Sequence, residues 1–228
     1  MSTQQLESLS VTNDATTSGR RHQARSLERR LKIMAAAKEL LETNPVSRIS
    51  LYDVARRAEI PPSSVYHFFP KIEHLLQTLT IEVFEAFDRC IEEPISQEQV
   101  QHWHDIAYIL ESRMQKHYQS NTVARALILG QHLFGDILTA DHQHDEYLGR
   151  QIQAIYDRFF ELPELPEAYN IFAIALQASD KVYAMSHQEF GNITETMAME
   201  GWRVTKAYLG LYLPDQLKPK PTPGTICH

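Results

Sequence analysis

Apolar residues recur at helical spacing along almost the whole chain, and strand-like alternation of useful length is absent. The first stretch puts Leu27, Leu31, Met34 and Leu41 on one broad face with Ile33, Ala37 and Leu40, and Asn44-Pro45 ends it. A second, short helix follows from Ser50, where Leu51, Val54, Ala55 and Ala58 repeat at i, i+3, i+4, i+7. Ser50 with Asp53 three residues on forms a capping box, which satisfies amides that the first helical turn leaves unpaired. After Glu59-Ile60 a third short helix starts at Pro61-Pro62, because proline fits a helix in its first turn and no deeper, and runs to about Phe68. A long fourth helix repeats Ile72, Leu75, Leu76, Leu79, Val83, Phe87 and Cys90 until Pro94 stops it. Further helices are predicted at roughly 97–118, 121–134, 142–161, 165–188 and 192–212, punctuated by Pro163, Pro166, Gly191-Asn192 and Pro214.

These elements define an all-α protein of about nine helices in two parts. Residues 25–72 form a three-helix domain of helix-turn-helix type, and residues 73–213 a larger helical domain. Residues 1–24 are polar and short of large apolar groups, so ordering them loses entropy without burial, and a disordered arm is expected. Residues 214–228 hold four prolines and are expected to form a loose tail.

Charge sharpens the division. The chain carries −7 overall, which taken alone argues against a nucleic-acid partner. Residues 20–74, however, hold eleven Lys/Arg against six Asp/Glu, a net +5, whereas residues 75–228 carry −10. A short basic module on an acidic body suits docking on a polyanion with one end only. Two distant cysteines, Cys90 and Cys227, the lack of an apolar run near the roughly 20 residues that span a bilayer, and a polar N-terminus predict a cytoplasmic protein with no membrane partner.

The segment ISLYDVARRAEIPPSSVYHFFPKIEHLL, residues 49–76, is the informative one. Its spacing turns Val54, Ala55, Ile60, Val65 and Phe69 inward and leaves Pro62, Ser63, Ser64, Tyr66 and His67 outward. Small, hydroxylic and flat side chains approach a major groove closely, exchange hydrogen bonds with it and touch thymine methyls.

With the preceding run MAAAKELL, the hydroxyl-led helix Ser50 to Ala55, the string S-V-Y-x-x-F at Ser64 to Phe69 and the pair Leu75-Leu76, residues 26–86 resemble the DNA-binding domain of TetR-family regulators. The resemblance implies phosphate contacts from Ser50, Ser64 and Tyr66, base contacts from Pro62, Ser63 and His67 with Tyr52 as a weaker candidate, and a backbone anchor at Lys71. Three positions depart from the family pattern: Glu59 stands at the usual turn glycine, Pro61 at the usual helix cap, and Ile72 at the usual lysine. The basic run Arg20, Arg21, Arg25, Arg29 and Arg30 is either a solvated tail or a groove-tracking arm, with Arg25 the residue assigned to DNA.

For the rest of the chain the resemblance implies an effector pocket and a symmetric dimer through the last two long helices. Phe84, Phe87, Trp103, Tyr108, Met114, Tyr118, His132, Phe134 and Tyr156 are the pocket candidates, for a small apolar or amphipathic effector, with core packing as the alternative for each. The implied function is a non-enzymatic repressor released from a palindromic operator. Two other readings stay open: a regulator whose C-terminal domain binds a protein, and a helical metal-dependent hydrolase using His102, His104-Asp105 and Asp141-His142-Gln143-His144-Asp145. Against a metal, His102 and His104 are two apart on a predicted helix and point to different sides, and no E-x-x-H pair is present. No cofactor is expected, since the chain has no Gly-rich phosphate loop, nucleophile elbow or Cys-x-x-Cys.

Overall fold

A computed structural model describes residues 3–130 and 134–221, with side chains from Arg20 onward except those of residues 21 and 22. Among the described residues there are nine helices and no strand: α1 (Thr3–Leu41), α2 (Leu51–Ala58), α3 (Pro62–Phe68), α4 (Ile72–Glu92), α5 (Trp103–Ser120), α6 (Thr122–Ala124), α7 (Gly135–Phe159), α8 (Ile171–Phe190) and α9 (Glu195–Leu209). The chain divides into two units, and the boundary between Leu75 and Leu76 falls inside α4.

In the first unit α2 packs on α1 and α3 on α2. The core is made by Ile33, Met34, Ala36, Ala37 and Leu41 of α1, Leu51, Val54, Ala55 and Ala58 of α2, and Val65 and Phe69, all buried. Leu27 and Leu31 depart from the predicted stripe. They lie 59% and 54% exposed, because the inward face of α1 begins only at Ile33, where α2 covers it. The helix itself extends back to Thr3, where a disordered arm was expected. Residues 3–24 contain no proline and only Gly19 as a weak point, so no residue in them is barred from the i→i−4 ladder.

The capping box at the head of α2 is present: Asp53 N donates to Ser50 Oγ at 3.2 Å and Ser50 N to Asp53 Oδ2 at 3.2 Å. At the other end of α2, Glu59 takes the left-handed conformation, φ 54° and ψ 41°. It is the one non-glycine residue with positive φ among those described. The turn thus keeps the geometry that a glycine would supply and places a Cβ in it.

The second unit is held by α8 against α9 and α7, and by α5 against α9. A Cβ added to Gly149 of α7 would come within 2.7 Å of the Ala173 amide of α8, so the two backbones meet where only glycine fits. Glu111 of α5 is buried and accepts bonds from Tyr183 of α8 and Thr205 of α9, both at 2.5 Å, tying three helices through one carboxyl. Burial pushes its pKa up, against the lowering effect of those hydroxyls.

Element boundaries differ from the sequence expectation where caps intervene. The predicted helix 97–118 splits into a 3-10 turn, Gln97–Gln99, and α5, because Asp105 Oδ2 accepts from the backbone amides of Gln101 and His102 and starts a new helix there. His102 is the non-helical cap residue, so its ring stacks on that of His104 at 5.1 Å instead of pointing away from it. Over its described residues the predicted helix 121–134 is α6 followed by a π-helical turn, Arg125–Leu129. Helix α8 starts at Ile171, where the Asn170 side chain accepts from the Phe172 and Ala173 amides. Gly191, φ 70°, closes it.

The proline-rich C-terminus is no loose tail as far as Pro221. Phe160 and Pro219 form an antiparallel bridge, Glu161 N donates to the Lys218 carbonyl and Lys220 N to that of Phe159, both at 2.8 Å. Lys218 and Lys220 pair with Glu161 and Asp157. Extended, proline-rich backbone cannot extend a helix, yet its remaining amides and carbonyls bond well to a neighbouring strand-like segment.

Two outcomes follow for the first unit in chemical denaturation. Ser50→Ala removes the cap acceptor and is expected to lower stability by about 1 kcal/mol. Glu59→Gly relieves the left-handed strain and is expected to raise it by roughly 0.5–1 kcal/mol; a loss of stability would show that the turn does not strain Glu59.

Candidate nucleic-acid interface and regulatory cavity

Helix α3 has only seven residues, with Pro61 as its cap and Pro62 in its first turn, and no side chain bonds its opening amides. Its inner side is held by Val65, fully buried, and by the adjoining Phe69, 3% exposed. The ring of Phe69 is also covered by the Arg30 guanidinium at 5.7 Å. Arg30 therefore braces the domain from α1, a role that its place in a basic run did not reveal.

The outer side carries the residues singled out from the sequence. Pro62, Ser63 and His67 are exposed, Ser64 is half-buried, and Tyr66 is 49% exposed. Tyr52 on α2 is 61% exposed, and Arg25 and Lys71 are exposed as well. Ser50 is exposed but its hydroxyl is engaged: it donates to Asp53 Oδ2 at 2.6 Å while accepting from the Asp53 amide. That hydrogen bond holds the Asp53 carboxyl below its ordinary pKa. Ser63, Ser64, Tyr66 and His67 thus share one surface, whereas Ser50 would have to give up its bond to Asp53 before donating to a phosphate. Ile60 is half-buried, the least enclosed of the residues expected to face inward.

In the second unit a cavity of about 350 Å³ lies between the π-helical turn, α7 and α8. Its walls include Ile128, Gly130, Asp141, Asp145, Gln177 and Asp180. A void of about 10 Å³, reached by the same three aspartates, adds Phe87, Met114 and Tyr118. Of the pocket candidates, the structure brings these last three together at the acidic cavity. Phe84 stacks on His144 at 4.1 Å, and His144 Nε2 meets Asp88 at 2.9 Å. Phe134 caps α7. Trp103 is pinned by its indole N–H to the Pro214 carbonyl at 3.0 Å, and Tyr108 lies 52% exposed against Trp202. Tyr156 lines a separate void of about 20 Å³ with Glu111. His132 lies outside the described residues.

The aspartates were not expected as pocket residues. Asp141 and Asp145 sit in a polar string that reads as surface, and their partner Asp180 is 35 residues further along. The period places 141 and 145 one turn apart on a single face, which was the available signal. Burial is the first cause that raises Asp141 to about 6, and burial with the Asp141 charge raises Asp145 to about 8. Asp180 is pushed well above its ordinary range for the same reasons. Among the described residues no group of three or more His, Cys, Asp or Glu side chains is arranged to hold a metal ion.

With this geometry the comparisons with known proteins are consistent. Residues 33–79 match the model of "Bacterial regulatory proteins, tetR family". A stretch of 65 residues is 37% identical to the HTH-type transcriptional regulator EthR of Mycobacterium tuberculosis, covering 28% of this chain and spanning 30% of the length of that curated relative. Among solved structures, a TetR-family transcriptional regulator from Streptomyces coelicolor superposes with a TM-score of 0.62 at 20% identity, over 81% of this chain and 99% of the other. A TetR transcriptional regulator from Rhodococcus sp. RHA1 does so with 0.55 at 16%, over 82% and 97%. The match to the family model is confined to residues 33–79, and the likeness to the solved structures, at 20% identity or less, is one of fold. No helix among the described residues is long and apolar enough to cross a membrane.

The raised aspartates set a pH dependence. A carboxyl whose folded pKa exceeds its ordinary 3.8 favours the folded state at low pH, and that contribution is lost as pH rises through the folded value. Among the described residues the titratable groups around Asp145 are Tyr118 on α5, Asp141, His142, His144 and Glu146 on α7, and Asp180 and Lys181 on α8. Asp145→Asn removes the costliest ionisation, so its melting temperature is expected to exceed that of the parent by a margin that widens from pH 4 to pH 8. Parallel melting curves across that range would rule out a buried, unpaired Asp145.

Proposed function

We propose that this protein is a sequence-specific DNA-binding transcription regulator, acting as a homodimer and releasing a palindromic operator when a small molecule occupies its C-terminal unit. The observation that carries the reading is the two-sidedness of α3: Val65 is anchored with no exposure while Ser63, Tyr66 and His67 stand free. A helix held in this way presents small polar side chains to a major groove without disturbing its own core. The basic balance of residues 20–74 supports it, since phosphate contacts dominate affinity for DNA.

Tyr66 and the half-buried Ser64 serve as hydroxyl donors to phosphates, and Lys71 adds a charge at the head of α4. Pro62, Ser63 and His67 meet base edges, with Tyr52 beside them and Arg25 reaching the backbone or minor groove from α1. Dimerisation through α8 and α9 is supported by apolar side chains left in solvent there: Met185 and Phe190 on α8 are 53% and 55% exposed, and Met199 on α9 is 39% exposed. Two recognition helices related by a two-fold axis would address half-sites about one helical turn apart. The cavity in the C-terminal unit favours a small-molecule effector over a protein partner as the trigger. Effector binding then acts by favouring a state with the wrong half-site spacing.

Selection of bound sequences from random duplex oligonucleotides tests this directly, and a two-fold symmetric site is expected. On the recovered site Tyr66→Phe and Lys71→Ala should weaken binding for all sequences alike, the latter reducing the salt slope by about 1. His67→Ala and Pro62→Ala should instead relax base preference, at a cost of about 1–3 kcal/mol for a lost base contact. Failure to enrich any sequence would refute the proposed function.

A further inference from the structure

We propose that the cavity of the C-terminal unit takes an organic cation, an amine on an apolar or aromatic body, with the ammonium group set among Asp141, Asp145 and Asp180. The inference deepens the reading of this unit as an effector-binding domain and rests on it.

The first observation is the unbalanced charge. Asp145 is 6% exposed, faces the cavity, and has Asp141 and Glu146 as its charged influences, both of its own sign. Its single favourable neighbour is the Gln177 amide, which also meets His142 Nδ1 at 2.8 Å. Asp180 has one donor among the described residues, the Tyr118 hydroxyl at 3.0 Å. The closest buried cation in the unit, Arg125, is turned elsewhere: its guanidinium donates to the carbonyls of Tyr118 and Gln119 and to Thr122 Oγ1. Lys181 stands exposed at the rim. Carboxylates so enclosed are normally paired or protonated, and among the described residues no buried Lys or Arg side chain bonds to these.

The second observation is the room beside them. The acidic cavity, about 350 Å³, also has Ile128, Leu129, Leu138 and Ala184 on its walls, so one molecule can meet charge at one end and apolar side chains at the other. One rim is the π-helical turn Arg125–Leu129, a departure from regular helix that recurs at functional sites. An anion would be repelled here, and a wholly apolar guest would leave the carboxyls without partners.

Proton balance follows from the raised pKa values. Burial with the Asp141 charge pushes Asp145 up to about 8, and burial pushes Asp141 up to about 6, so both carboxyls favour the protonated form more than an exposed aspartate does. An entering ammonium favours the ionised carboxylates, so its binding releases protons to solvent and its affinity climbs with pH until those groups ionise unaided.

Calorimetry on the full chain without DNA tests the proposal, with 4-phenylbutylamine as the probe and 4-phenylbutanol as its uncharged counterpart. The amine is expected to bind at least about tenfold more tightly than the alcohol, since charge-assisted bonds replace neutral ones. Its affinity should rise between pH 6 and pH 8, by up to about tenfold per pH unit for each proton released. Asp145→Asn, which mimics the protonated carboxyl in size, should abolish the amine's advantage while leaving the alcohol unchanged, and Asp180→Asn should reduce it independently. Equal binding of amine and alcohol, binding of neither, or an unaltered advantage in both folded variants would overturn the proposal. Because DNA is absent from this measurement, such a failure leaves operator recognition standing, and a failed operator selection leaves the cation site standing.

Discussion

Everything the first unit presents to solvent depends on the burial of two side chains. Helix α3 is seven residues long, far below the length at which an isolated helix persists in water. It exists because Val65 and Phe69 are buried where α3 packs on α2, and because its opening prolines restrict the backbone beforehand. Phe69 is itself covered by Arg30, so the end of α3 is also supported from α1. The same packing that makes the helix possible decides that Ser63, Tyr66 and His67 remain outside.

The turn before α3 shows how an altered local residue is absorbed. Glu59 occupies a left-handed position suited to glycine, and Pro61 stands where a hydroxyl would cap the helix. Neither change moves the elements. The Glu59 amide still bonds to the Arg56 carbonyl and that of Ile60 to Ala55, and Val65 still reaches the core. Backbone hydrogen bonding and apolar burial together outweigh a local cost of order 1 kcal/mol.

The second unit is organised differently, around buried polarity. Glu111 is satisfied by hydroxyls from two other helices and acts as a structural tie. At the cavity Asp145 is buried to a similar degree and Asp141 and Asp180 are half-buried, and they lack comparable partners among the described residues. Carboxyls in the same helical unit therefore divide into one that completes the fold and three that leave it electrostatically incomplete. That contrast gives the cavity a chemical character beyond its shape.

Helical periodicity alone made the all-α class, the helix-turn-helix and its exposed face legible, because local spacing determines which side of a short helix is apolar. The Ser50 capping box and the stops at Pro94 and Gly191 were equally legible, being contacts within a few residues. What only tertiary structure decided involves partners distant in the chain. Trp103 meets Pro214, the C-terminal prolines bond to 159–161, and Tyr156 is drawn away from the acidic cavity into its own void. Asp180 joins Asp141 and Asp145 only when α8 packs on α7, and no spacing within one helix encodes that approach. The sequence determined which faces are apolar, whereas packing determined which polar groups were trapped between them, since burial depends on what lies on both sides of a residue.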